Sequence, residues 1–111
     1  MDSFFFDIAL PRLSGLACSG ATVDTERSCR CDIVKLRKGS KCIEVVYEAY
    51  GQPFCDVHAD SAVRRIEVDL PFLSGQRLGG GDKTAAAVIA HEHDLRKYID
   101  ALYPMLEAEL R

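Results

Sequence analysis

A stripe of apolar residues near the end of the chain limits the fold more than any other feature. In TAAAVIAHEHDLRKYIDALYPMLEAELR, Thr84 to Arg111, the residues Val88, Leu95, Ile99, Leu102, Leu106 and Leu110 recur three or four apart or in multiples of that spacing, with Tyr98 and Met105 beside them. Such spacing gathers them on one side of a helix and leaves charge on the other, so the helix must lie on something. Asp82, after Gly79-Gly80-Gly81, stands where an N-cap belongs and sets the start near Lys83. Unbroken to Arg111, the helix would reach about 40 Å at ~1.5 Å per residue. Pro104 removes the bond to the Asp100 carbonyl and crowds it. Because leucines continue in phase on both sides of the proline, the expectation is a kinked but continuous helix.

The remainder reads as a sheet. Phe4 to Leu10 alternates loosely, with Phe4, Phe6, Ile8 and Leu10 on one side, and reads as a strand that Pro11 ends. Leu13 to Asp24 has no clear period beyond a short strand around Ala21 to Asp24. Arg30 to Lys38 and Lys41 to Tyr50 flank Gly39-Ser40, and glycine at the first loop position suits a type II′ hairpin. That turn sets Lys38 opposite Lys41. It then places Leu36 against Ile43 and Val34 against Val45 on a core face, and Lys35 against Glu44 and Arg37 against Cys42 on the other. A second hairpin around Gly51-Gln52, with Pro53 at the strand start, pairs Glu48 with Cys55 and Val46 with Val57. Asp60-Ser61 marks another turn, or the cap of one helical turn through Arg65, before a half-buried strand of Ile66, Val68 and Leu70.

The expected fold is therefore α+β: an antiparallel β-meander of about five strands with one long C-terminal helix packed on one face. One domain spans 1–111, mostly β over 1–73, a glycine-rich loop over 74–82 and helix over 83–111. Its core should join Val34, Leu36, Ile43, Val45, Ile66 and Val68 to Leu95, Ile99 and Leu102.

A chain of 111 residues that is 48% hydrophobic can bury a core without metal or disulfide staples. A net charge of -3 and a pI near 5.5 argue against nucleic acid, whose phosphates call for a basic surplus. No apolar run approaches membrane-spanning length and Met1-Asp2-Ser3 lacks the basic start of a signal peptide, so the expected address is soluble and cytoplasmic. Charge is uneven: Glu26 to Lys41 holds six basic and two acidic residues, and Cys42 to Val63 holds four acidic and none basic. The hairpin lays these blocks side by side as cross-strand pairs on a solvated face.

The five cysteines cannot all pair within one chain, and free thiols are expected. Cys29, Cys31, Cys42, Cys55 and His58 suggest zinc at first sight. In the expected register Cys42 and Cys31 are six pairs apart, about 20 Å at ~3.3 Å per residue, and His58 faces away from Cys55. No metal is expected. The loop Ser74 to Thr84 lies between strand and helix as a phosphate loop does, yet Asp82 puts a carboxylate where the phosphate would sit. His91 and His93 are two apart on the helix and diverge; His91 joins the apolar stripe.

These readings lead to a non-enzymatic protein-binding module, a small inhibitor or adaptor without cofactor. It would use Tyr98, Leu102, Met105, Leu106 and Leu110, where the helix outruns its sheet, to meet a protein partner or to form a homodimer. The alternative is a small-ligand or metal-binding regulatory protein using Cys29, Cys31, Cys55, His58 and His91. Third stands a small enzyme centred on His91.

Overall fold

The structure, a computed structural model, describes residues 4–28, 31–48, 53–68 and 85–111. Five strands follow one another in space as in sequence: β1 (Thr22–Ser28), β2 (Cys31–Lys38), β3 (Lys41–Glu48), β4 (Phe54–Ala59) and β5 (Ala62–Ile66). Each pair is antiparallel, so the sheet is the expected meander, and α2 (Ala85–Glu109) packs on one face of it.

The β2–β3 register is the one its turn dictates, with Lys38 opposite Lys41, Leu36 opposite Ile43 and Val34 opposite Val45. Gly39 has φ +61 while Ser40 is not at positive φ, as a type II′ turn requires. Val34, Leu36, Ile43 and Val45 are fully buried. The whole expected core assembles, with Ile66 and Val68 packed at its margin.

The chain begins with a helix, which corrects the reading of Phe4 to Leu10 as a strand. Helix α1 (Phe4–Leu13) contains Pro11, and a 3₁₀ helix (Ser14–Ser19) follows. Its buried residues are Phe5, Ile8, Ala9 and Leu13, spaced three, four and eight from the first. That period was hidden because FFFDIALPRL carries apolar side chains at nearly every position. Pro11 falls near the helix end, where only the Asp7 carbonyl loses its partner. Phe5 stacks flat on Tyr47 at 5.4 Å, which fixes α1 on the same sheet face as α2.

The β3–β4 register differs by three residues from the expected one. Cys55 lies opposite Val45 and Phe54 opposite Val46. A shift by an odd number flips every side chain. Cys55 and Val57 thereby join the core beside Val45 and Ile43, and that apolar demand prevails over a two-residue loop at Gly51-Gln52. The next turn is at Asp60-Ser61, as read, with φ 50 and 68. Two positive values mark a type I′ hairpin. Strand β5 starts directly after it, so there is no helical turn through Arg65 and the strand precedes Val68 instead of containing it.

Helix α2 continues through Pro104 without interruption. Leu95, Ile99, Leu102, Leu106 and Leu110 are all buried. Its far end is held by the sheet: Lys41 Nζ donates to the Glu109 carbonyl at 2.7 Å, and Lys38 Nζ donates to the Leu110 carbonyl and, at 2.7 Å, to that of Ser19. These cations satisfy carbonyls that a helix end leaves unpaired, at the negative pole of its dipole.

Candidate functional site

The residues offered from sequence as a partner surface are mostly interior. Leu102 and Leu106 are inaccessible, Leu110 and Tyr98 nearly so, and Met105 alone of the five is exposed, at 40%. Helix α1 is the reason, because it supplies a second wall against which α2 packs. Arg12 of α1 binds Asp100 of α2 at 3.0 Å and lays its guanidinium 3.9 Å from the centre of the Tyr103 ring. The two helices leave between them a groove of about 300 Å³ lined by Asp7, Arg12, Arg96 and Asp100.

The alternative cluster does not assemble. Cys55 faces the core, whereas Cys31 and His58 belong to the opposite face. Cys31 and His58 are also far apart, since His58 is level with Arg37 and six residues of strand separate Arg37 from Cys31, about 20 Å at ~3.3 Å each. Burial pushes the Cys55 thiol up to about 12, away from the thiolate that metal binding or attack would need. No cluster of metal-binding side chains occurs among the described residues. Cys29, the His91 side chain, Asp82 and the glycine loop lie outside them. Cys18, Cys42 and Cys55 are free thiols.

On the face away from the helices the strands set side chains in cross-sheet rows. One row runs Asp24, Lys35, Glu44, Asp56, Arg65. Lys35 pairs with Glu26 at 3.1 Å and Glu44 at 3.7 Å, and the Arg65 guanidinium takes Asp56 at 2.9 and 3.3 Å while lying over Phe54. The expected charge blocks do meet here as cross-strand pairs. The next row runs Thr22, Arg37, Cys42, His58, Val63. There His58 Nε2 lies 2.9 Å from Glu44 Oε1. The three-residue register error concealed the Cys42–His58 neighbourhood from the sequence.

The sheet has two free edges among the described residues, and they differ. Strand β1 is polar and exposed apart from the half-buried Val23. Strand β5 ends the sheet with Val63, 63% exposed, on the outer face. On the helix side, Arg64 meets Glu109 at 2.7 Å, and Tyr98 lies within the electrostatic reach of Arg65 and Glu67. Met105 falls on that same side of α2, two turns after Tyr98 and one before Glu109. The two large apolar side chains most exposed in the described chain thus flank the β5 edge. Sequence reading missed this because it began the last strand at Ile66, although Ala62 to Ile66 carries the signal of a strand directly after a turn.

No helix among the described residues is long and apolar enough to cross a membrane. Comparison with protein-family models, curated proteins and solved structures gave no match to the chain.

Proposed function

We propose that the chain is a non-enzymatic protein-binding module, an adaptor or inhibitor, that receives an extended segment of a partner along the free edge of β5. The carrying observation is the placement of Val63 and Met105 on either side of that edge. Ala59 and Ala62 close the two-residue turn, so they exchange both ladder bonds, and alternation then aims the N–H and C=O groups of Val63 and Arg65 outward. Exposed edges are usually blunted by charge. Here Arg64 is drawn toward Glu109 and Arg65 toward Asp56, which leaves the backbone approachable. An added strand would place alternate side chains on Met105 and on Val63, the pattern of β-augmentation. A second copy of this chain fits less well, because antiparallel self-pairing about the middle of β5 sets Arg64 against its own equivalent.

Val63→Pro tests this without disturbing the β4–β5 ladder, since it removes an outward donor on an edge strand. A partner isolated on the parent should be lost by Val63→Pro and kept by Arg37→Ala. Amide exchange of the complex should slow at Val63 and Arg65. A partner that binds Val63→Pro equally, or protection confined to another surface, ends the proposal. Self-association that Val63→Pro abolishes would replace the foreign strand by a second copy.

A further inference from the structure

The geometry points to Cys42 as a reactive thiol that forms a mixed disulfide with small, carboxylate-bearing disulfides, using His58 as base and Glu44 to orient it. This is a modification site, independent of strand addition at β5. Cys42 lies between two cationic or basic neighbours, Arg37 of β2 on one side and His58 of β4 on the other. Directly opposed residues have Cβ atoms about 4.5–5.5 Å apart, so both side chains lie within reach of the sulfur. Arg37 is exposed, and no carboxylate among the described residues pairs with it. The charge that gathers on sulfur as it loses its proton has a cation beside it.

His58 is held for the role of base. Its Nε2 donates to Glu44 Oε1 at 2.9 Å, a contact that selects the tautomer with Nδ1 unprotonated. Lys35, 3.7 Å from the other oxygen of Glu44, keeps that carboxylate in place. Nucleophile and base are thus directly opposed on β3 and β4, and the orienting acid stands two residues along β3 from the nucleophile. Cys42 and His58 border a hollow of about 250 Å³ walled by Ser40, Ala59, Asp60 and Ser61 at the tips of the two neighbouring hairpins. The hollow has room for one half of a small disulfide, and Arg37 lies across Cys42 from it, where the other half would bring its carboxylate.

In the step, the Cys42 proton passes to His58 Nδ1 and the sulfur attacks one sulfur of the incoming disulfide. A Cys42–S–S–R bond forms, the original S–S bond breaks, and the leaving thiolate takes the proton from His58. The cysteine is oxidised and the departing half is reduced, so no other oxidant enters.

Cys18 is more exposed than Cys42 and serves as the control within the same molecule, while the buried Cys55 reports any unfolding. The pre-reduced protein is treated with oxidised glutathione or with 2-hydroxyethyl disulfide, quenched in acid and mapped by mass spectrometry, counting only molecules in which Cys55 is unmodified. With oxidised glutathione Cys42 should react at least about tenfold faster than Cys18, a conservative share of the ~10²–10⁴ that a positioned base supplies. His58→Ala should erase that ratio, Glu44→Gln should reduce it, and Arg37→Ala should remove the preference for the anionic disulfide over the neutral one. Cys42 reacting no faster than Cys18, or a ratio unchanged in His58→Ala, would overturn the assignment.

Discussion

The two faces of the sheet are made by the same strands and meet different physical demands. Toward the helices, Val34, Leu36, Ile43, Val45, Cys55 and Val57 touch almost no solvent. Away from them, Lys35 pairs with Glu44, Glu44 holds His58, and Arg65 pairs with Asp56, all where solvent still reaches. A residue on the first face is fixed by volume and polarity, and one on the second mainly by its neighbours' charge. The difference teaches where change is tolerated. Stability resides on one face and freedom to acquire chemistry on the other.

The strongest way to break this comparison is to exchange the characters of adjacent residues. Val45→Asp buries a carboxylate opposite Cys55 with no cation within the core, and should leave the domain unfolded, a loss beyond about 4 kcal/mol. Urea titration followed by circular dichroism checks it. A Val45→Asp variant with the parent's midpoint would mean that the faces are reversed.

Leu106 extends the same rule to the helix. Truncation to Ala should cost about 2–5 kcal/mol, as cavity-forming changes in a packed core do, and leave the sedimenting mass that of the parent. A variant that keeps its stability and halves its mass would restore the homodimer read from sequence. The structure accounts for Leu106 and Leu110 within one chain.

Why sequence saw one face and misjudged parts of the other follows from the strength of each local signal. Gly39-Ser40 combines a glycine-first loop with strict alternation on both sides, and the β2–β3 register came out whole. The stripe of α2 was equally plain. In FFFDIALPRL the apolar residues are so dense that periods of two and 3.6 fit alike, and Pro11 read as a terminator when it lies inside α1. Between β3 and β4 the turn signal at Gly51-Gln52 points to a pairing three residues from the one the strands adopt. Only the burial of Cys55 and Val57 decides it, and burial is a property of the folded whole. That single register carried His58 to Cys42, so the candidate modification site could not be found before the fold.

Alkali should separate the faces by their cysteines and tyrosines. Burial pushes Cys55 from 9.0 up to about 12, and burial together with Asp32 pushes Tyr47 from 10.0 up to about 12. In each case the unfolded chain loses its proton at a lower pH than the folded one. Their contribution is complete below pH 9 and declines as pH rises toward 12, by about 1.4 kcal/mol per unit for each group already ionised in the unfolded state. Urea midpoints in the presence of reductant should therefore fall steadily above pH 9. Cys55→Ala should be less stable throughout but show a shallower fall between pH 9 and 10. An identical slope would place the Cys55 thiol in contact with solvent.

Acid should act on the clamp at the end of α2. The Arg64 hydrogen bond, joined by that of Lys41, holds Glu109 below its ordinary 4.5 against a smaller opposing effect of burial. A lowered carboxyl contributes stability above its unfolded value and loses it as pH falls through the folded one. Glu109→Gln should cost up to about 1 kcal/mol at neutral pH, because its pairs with Arg64 and Lys41 outweigh the adverse dipole at this end of the helix, and the difference from the parent should shrink as pH falls below 4.5. A difference that persists in acid would assign the clamp to the Lys38 and Lys41 contacts with carbonyls alone.

The smallest effect belongs to the centre of the outer face, and its smallness is the point. Glu44 touches Lys35 and His58, yet it keeps contact with water and its partners have other neighbours. Glu44→Gln retains the shape and one acceptor while removing the charge, so stability should move by no more than the ~0.5 kcal/mol usual for surface substitutions. The same variant should lower the reactivity of Cys42, because Gln holds the His58 tautomer less firmly than a carboxylate. One substitution thus separates the two roles that the comparison assigns to the outer face. A large loss of stability would make the ion-pair row part of the structural core, whereas unchanged stability with slowed Cys42 modification would show the row setting chemistry on a scaffold that the other face holds.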